Sequence, residues 1–283
     1  MYLHIYYKVI KMATFSQVLT VQGKSDYVVS IPSDLRKCFF IYAICVLSDD
    51  HILITDNNNK RVKQLNHQYK VVGHCDLTTY PTDMCCITPS EIAIIGNDYR
   101  THDVQFVSVN GGRLVMGTKI QFQHICIGVA HDLQHLYLTS GTALYKYSMT
   151  GDLLNKLYED TSGDYTVWKC AANPSGDKIF VTNWSHNKVL TLAIDGAVLH
   201  TFTDTDLVCP FGIHVTDQGQ VLVCGQSSNT ILQLDGEGKK KLATLLTERD
   251  GLNAPHSVCC NRSTASIIVG QYIGNQILVF KEK

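Results

Sequence analysis

One short apolar run recurs through this chain at nearly constant spacing, and that spacing constrains the fold more than any single motif. The copies are Ile52–Asp56, Ile92–Gly96, Leu136–Ser140, Ile179–Asn183, Val221–Gly225 and Ile267–Gly270, with steps of 40, 44, 43, 42 and 46 residues between their first positions. Six units of roughly 40–45 residues are what a β-propeller of four-stranded blades requires. They use nearly all of the 283 residues, so the chain reads as one radial domain although its length alone would suit two.

The flanking segments keep the same register. Each run follows a narrow stretch of small apolar residues: Ala43–Leu47, Met84–Thr88, Ile127–Ala130, Lys169–Ala172, Gly212–Thr216 and Ser257–Cys260. Small side chains suit an innermost strand, where six blades converge. Each run precedes a third strand: Arg61–Leu65, Val104–Val109, Leu144–Ser148, Val189–Ala193, Ile231–Asp235 and Gln276–Phe280. Polar turns such as Asn110–Gly112, Thr150–Asp152 and Asp195–Gly196 then lead to a fourth strand, and their residue types tolerate the positive φ of tight hairpins. The runs are apolar at consecutive positions, as expected of strands buried on both faces. No stretch sustains a 3.6-residue period. The expected fold is all-β: a six-bladed β-propeller of four-stranded antiparallel blades.

The sixth unit reaches Lys283 straight after its third strand, which would leave an open sheet edge. Tyr27–Ile31 is expected to complete the last blade beside Gln276–Phe280 and close the ring, with Phe15–Val21 as the rival strand. The propeller then spans residues 14–283, and residues 1–13 lie outside it. That N-terminal stretch is apolar and aromatic, but Lys8 and Lys11 break it. It is too short for a secretory core or for the roughly 20 residues that span a bilayer.

A net charge of −1 gives no general attraction to DNA or an anionic membrane. Most of the 11 cysteines fall inside the apolar segments: Cys45, Cys85, Cys86, Cys126, Cys170, Cys224, Cys259 and Cys260. No C-x-x-C pair occurs, so no zinc finger is encoded. The cysteines read as reduced core residues of a cytoplasmic protein. Asparagine recurs between second and third strands, at Asn59, Asn187, Asn229 and Asn275. Its tolerance of left-handed backbone suits a turn, and its recurrence argues for architecture over a ligand site.

The segment Ile52–Lys63, with Thr55 and Asp56 ending a strand and Asn59, Lys60, Arg61 and Val62 following, resembles the NHL repeat. Val221–Asp235 and Ile179–Ile194 resemble it more loosely. From about Tyr27 to Lys283 the chain is similar to the C-terminal NHL propellers of tripartite-motif (TRIM) E3 ubiquitin ligases, especially divergent invertebrate members. Blades two and three, with Gly96–Arg100 and Ser140–Ala143, depart from the NHL loop. The resemblance implies recognition: a protein-binding module that selects substrates in a TRIM-type ubiquitination pathway, or an adaptor derived from one. The RING, B-box and coiled coil that carry ligase chemistry are absent from this sequence, so that activity is not expected of it.

Two alternatives stay open. Single-stranded RNA binding needs a basic, aromatic-bearing face. The basic residues are split, however: Lys60, Arg61 and Lys63 start near one end, and Lys239–Lys241 lie at the other. A degenerate lactonase- or hydrolase-type propeller would need oxygen ligands in the channel for a divalent cation. The inner strands offer only Asp83 and His256 near their starts and His214 within one. His131 and His135 are four apart in a turn and lack the glutamate of a zinc protease motif, and no G-x-S-x-G elbow occurs. Hence no catalytic residue, metal or cofactor is expected.

In a meander, the second-to-third loops and the blade connections share one end of the propeller. Candidate contact residues there are Lys60, Arg61, Tyr99, Arg100, Trp184, His186 and Tyr272 in the loops and Tyr165 in a connection. Exposed aromatic and arginine side chains are typical interface anchors. A protein partner of a monomeric propeller is expected.

Overall fold

The computed structural model describes residues 17–36, 40–48 and 50–283. The expected extension, residues 1–13, lies outside them, as does Phe15 of the rival strand. Strand β1 (Val21–Val28) comes first. Blade one is β2–β5 (Ile44–Val46, Ile52–Asp56, Arg61–Leu65, Val71–Asp76), and blade two is β6–β9 (Tyr80–Thr88, Glu91–Asn97, His102–Asn110, Arg113–Phe122). Blade three is β10–β13 (Gly128–His131, His135–Thr139, Ala143–Ser148, Leu153–Glu159), and blade four is β14–β17 (Cys170–Ala172, Lys178–Asn183, Lys188–Ala193, Val198–Thr203). Blade five is β18–β21 (Pro210–Val215, Val221–Gly225, Thr230–Leu234, Lys241–Leu246). Blade six is β22–β24 (Pro255–Asn261, Ser266–Gln271, Gln276–Glu282) with β1 as its outer strand.

Ring closure by the N-terminal strand holds, with shifted bounds. Tyr27 pairs with Ile277 and Val28 with Gln276, but the strand starts at Val21 and ends at Val28. Its first half is Gln22–Asp26, exposed and polar, with Gly23 at φ 65° in a bulge. An outer strand faces solvent, so no apolar pattern marks it in sequence. From the rival segment only Val21 is in the strand. Before it, Gln17 O accepts from Gln220 Nε2 (2.7 Å) and Gln233 Nε2 (3.0 Å), which ties the entering chain to blade five.

The core lies between blades. Ile52 and Ile54 pack with Ile268, Ile277 and Val279 of blade six, while Leu53 points the other way, to Ile92 and Ile94 of blade two. The same alternation repeats around the ring. This is why the second strands carry no polar alternation: each face of a strand meets a neighbouring blade.

Blade one also clasps the closing segment. The fully buried Lys63 Nζ lies 2.7 Å from both Asp34 Oδ2 and Asp56 Oδ2 and donates to Val29 O (3.0 Å). Arg61 bridges Asp34 Oδ1 (2.9 Å) and Asp76 Oδ1 (2.6 Å). Asn59 Oδ1 accepts from the backbone N–H groups of Leu35 and Arg36.

One cysteine expectation needs correcting. Cys45 of β2 and Cys86 of β6 form a disulfide, Cα–Cα 6.7 Å, because the inner strands of adjacent blades converge near the axis. Cys75, Cys85, Cys126, Cys170, Cys209, Cys224, Cys259 and Cys260 carry free thiols. Among the described residues no helix is long and apolar enough to cross a membrane.

Candidate functional site: the aromatic mouth of the central channel

The site begins with one register position in each blade. In blades one, three and four, a threonine at the end of the second strand accepts from the inner strand: Thr55 Oγ1 from Ala43 N (2.9 Å), Thr139 Oγ1 from Gly128 N (2.8 Å) and Thr182 Oγ1 from Lys169 N (3.0 Å). In blades two, five and six the inner strand instead has a proline and a break in register, between Pro81 and Asp83, Pro210 and Ile213, and Pro255 and Ser257. Proline fits where a strand gives up a ladder bond, and such bulges re-aim the next side chain. Both devices present one residue per blade at the loop end of the channel: Tyr42, Thr82, Ile127, Trp168, Phe211 and His256. All six line one pocket of about 330 Å³.

Second-to-third loops and a blade connection add Trp184, Gln226, Tyr272 and Tyr165 to its wall. Phe211 and His256 stack at 3.9 Å between ring centres, Tyr42 lies 5.0 Å from His256, and Trp168 meets Phe211 edge-on at 5.5 Å. Tyr272 stacks on Phe40 at 4.4 Å. Tyr165, with φ 58°, stands edge-on to both Trp168 and Trp184. Inner strands crowd closely enough that a Cβ on Gly212 would collide with the His256 carbonyl, and one on Gly128 with Lys169.

Lys169 forms the floor. Its Nζ donates to the carbonyls of Thr82 and Ile127 (the latter 3.1 Å) and lies 3.3 Å from Asp83 Oδ1. Asp83 Oδ2 accepts from Val129 N (2.9 Å). Burial pushes the Asp83 carboxyl up against the pull of Lys169, and the same burial pushes the Lys169 ammonium down. Tyr42 and Lys169 also line a second cavity of about 790 Å³ on the far side, walled by the inner strands. The pair therefore divides the channel. Among the described residues no cluster of three or more His, Cys, Asp or Glu could hold a metal ion. Asp83, the channel carboxylate beside Lys169, is taken up by that ammonium and by backbone amides.

Hydrogen bonding fixes the His256 tautomer. An indole N–H can only donate, so Trp184 Nε1 bonded at 3.0 Å identifies its partner as the Gln226 carbonyl oxygen. The Gln226 NH₂ then faces His256 Nε2 at 2.9 Å, which must accept. The proton of neutral His256 is therefore on Nδ1. Burial, with a contribution from Lys169, pushes this imidazole down to about 3, so it stays neutral at pH 7. Burial and Tyr272 push the Tyr42 phenol up to about 12.

The candidate contact residues sort into three groups. Tyr165, Trp184 and Tyr272 come together in the pocket wall, and exposed His186 stands beside Trp184 on the rim. Tyr99, 100% exposed, and Arg100 form the tip of the blade-two loop, away from the pocket. Lys60 and Arg61 are engaged: Lys60 Nζ sits 4.2 Å over the Tyr80 ring and 3.7 Å from Asp98, and Arg61 is held in the carboxylate clasp. The recurring asparagines are architectural. Asn187 and Asn229 adopt positive φ and accept from Cys209 N and Ala254 N of the next connection. In blade one the left-handed residue is Lys60, one position after Asn59.

Sequence reasoning passes over Trp168 and Gln226. The signal for Trp168 was positional: the equivalent register position carries an aromatic ring in four of six units, Tyr42, Trp168, Phe211 and His256. Gln226 had none, since only the folded loop brings it to His256.

An NHL repeat model matches residues 43–65, the first two strands of blade one and the third. No curated protein matches the chain as a relative. Among solved structures, a protein of unknown function from Bacteroides thetaiotaomicron is similar at 13% identity and TM-score 0.72, covering 92% of this chain and 76% of its own. Virginiamycin B lyase from Staphylococcus aureus is similar at 12% identity and TM-score 0.63, with 92% and 99% covered. A functionally unknown protein from Desulfotomaculum acetoxidans is similar at 16% identity and TM-score 0.57, with 77% and 72% covered. At these identities the likeness is one of fold.

Proposed function

We propose that this propeller is a protein-binding module whose loop end receives an extended segment of a partner protein. The mouth pocket serves as its anchor point, and Tyr99, Arg100 and His186 serve as outer contacts. The observation that carries the reading is the convergence of aromatic side chains from several blades into one concave pocket at the end that also holds the exposed loop residues. Interface hot spots are enriched in Trp, Tyr and Arg around such a pocket. By resemblance to the TRIM-NHL propellers, its context is substrate recognition in ubiquitination or a stand-alone adaptor.

RNA is disfavoured by the state of the cations. Lys60 is paired with Asp98, Arg61 with Asp34 and Asp76, and Lys188 lies 3.9 Å from Asp160. Phosphate binding draws on unpaired Lys and Arg. A displayed random-peptide library panned against wild type, Trp184→Ala and Arg100→Ala tests the reading. Enrichment of peptides by wild type, weakened in both variants, supports it. No enrichment, together with retention of a single-stranded RNA pool, would move the function to RNA.

A further inference from the structure

Two residues that line the mouth pocket each carry a buried N–H donor with no partner among the described residues. His256 is 1% exposed, and its Nδ1, which the Gln226 contact makes the protonated nitrogen, meets no acceptor. Trp168 Nε1 is also buried and unpaired. Both residues belong to the ring of six register positions, and both line the same pocket. An unsatisfied buried donor is costly, and native proteins leave few of them. Other polar groups around the mouth have partners: Trp184 Nε1 has Gln226, Thr82 has Asn97, and Lys169 has three acceptors. The walls offer flat ring faces, and the volume lies at the small end of the usual range for ligand sites.

We infer that the pocket receives a planar ring bearing a hydrogen-bond acceptor oxygen, which in a peptide segment is the side chain of tyrosine. This rests on the loop-end reading and names the group that would enter. The phenol ring lies against the aromatic wall and its oxygen accepts from the His256 or Trp168 N–H. Its own proton goes to the Tyr42 hydroxyl on the same wall. Phenylalanine fills the same space and leaves both donors unpaired. A cationic side chain brings further donors where acceptors are needed, beside the Lys169 ammonium.

The chain has two tryptophans, and both line the pocket, so the two indole N–H cross-peaks of ¹⁵N-labelled protein report on this site alone. Trp168→Phe assigns them. N-acetyl-tyrosinamide and N-acetyl-phenylalaninamide are the probes. The tyrosine probe is expected to move an indole peak or the His256 ring signals and to bind about tenfold more tightly, the effect of one hydrogen bond to a buried donor. His256→Phe and Trp168→Phe each keep a ring and remove one donor, and the preference should fall to within about twofold in at least one of them; a preference kept in both variants overturns the inference. Equal binding of both probes to wild type, or no shift with either, overturns the inference. If panned peptides depend on Trp184 while the probe pair shows no preference, the loop-end reading stands and this one falls.

Discussion

The two ends of the central channel are made from the same six inner strands, yet their chemistry differs. The loop end is aromatic: Tyr42, Trp168, Phe211 and His256 stand at equivalent positions, backed by Trp184 and Tyr272. The far end is lined by short side chains such as Cys45, Ala130, Ala171 and Cys259, in a cavity more than twice as large. At the far end the strands set the wall directly, and convergence of six blades selects small residues. At the mouth, proline bulges, left-handed residues and blade connections release the chain from the repeat. Large, individual side chains can then be placed there. A binding surface arises where the repeat is broken.

The sharpest way to break this comparison is to remove its divider. Lys169→Met leaves Asp83 buried without its cation and should cost about 3–5 kcal/mol in urea unfolding. Adding Asp83→Asn should recover much of it, and an additive double mutant would show that the two side chains do not interact. Next in size is an acid effect. The His256 imidazole is pushed from 6.5 down to about 3, so the unfolded chain binds a proton that the folded chain refuses. Stability is full above pH 6.5 and falls as pH drops toward 3, by on the order of a few kcal/mol. His214 on the far side, pushed down to about 4 by burial, adds to the same window. Urea midpoints between pH 8 and 4 should therefore fall less steeply in His256→Phe than in wild type. Identical slopes would refute the neutral, buried state assigned to His256.

Smaller changes sharpen the account of the mouth. Gln226→Ala strands the Trp184 indole N–H and the His256 Nε2 acceptor and should cost about 1–3 kcal/mol, read by thermal unfolding together with a change in tryptophan emission. Arg100→Ala, on an exposed loop tip, should alter stability by less than about 0.5 kcal/mol while weakening enriched peptides. A large loss of stability in that variant would mean that Arg100 is structural and no contact residue.

Much of the fold was legible because it is periodic. The Ile52–Asp56 run and its five copies are apolar on both faces, since each packs between two blades, and that pattern needs no knowledge of the partners. The outer strand Val21–Val28 was read with shifted bounds because a solvent-facing edge carries no such pattern. The recurring asparagines were legible as scaffold, although Lys60 takes the left-handed place in blade one. Lys60, Arg61 and Lys63 look in sequence like one basic cluster. Asp56 and Asp76 reach them within blade one, but the ties to Asp34 and Asp98 form only when the closing segment and the neighbouring blade's loop come together.

By itself the sequence determined the number of blades, the order of strands within each and the end at which the loops gather, because these follow from local periodicity and turn chemistry. Only the tertiary structure decided which side chains share the mouth. Tyr42, Trp168, Phe211 and His256 are separated by at least 40 residues in the chain. Ring closure brings them within stacking distance, and the single chain of hydrogen bonds from Trp184 through Gln226 then sets the proton on His256.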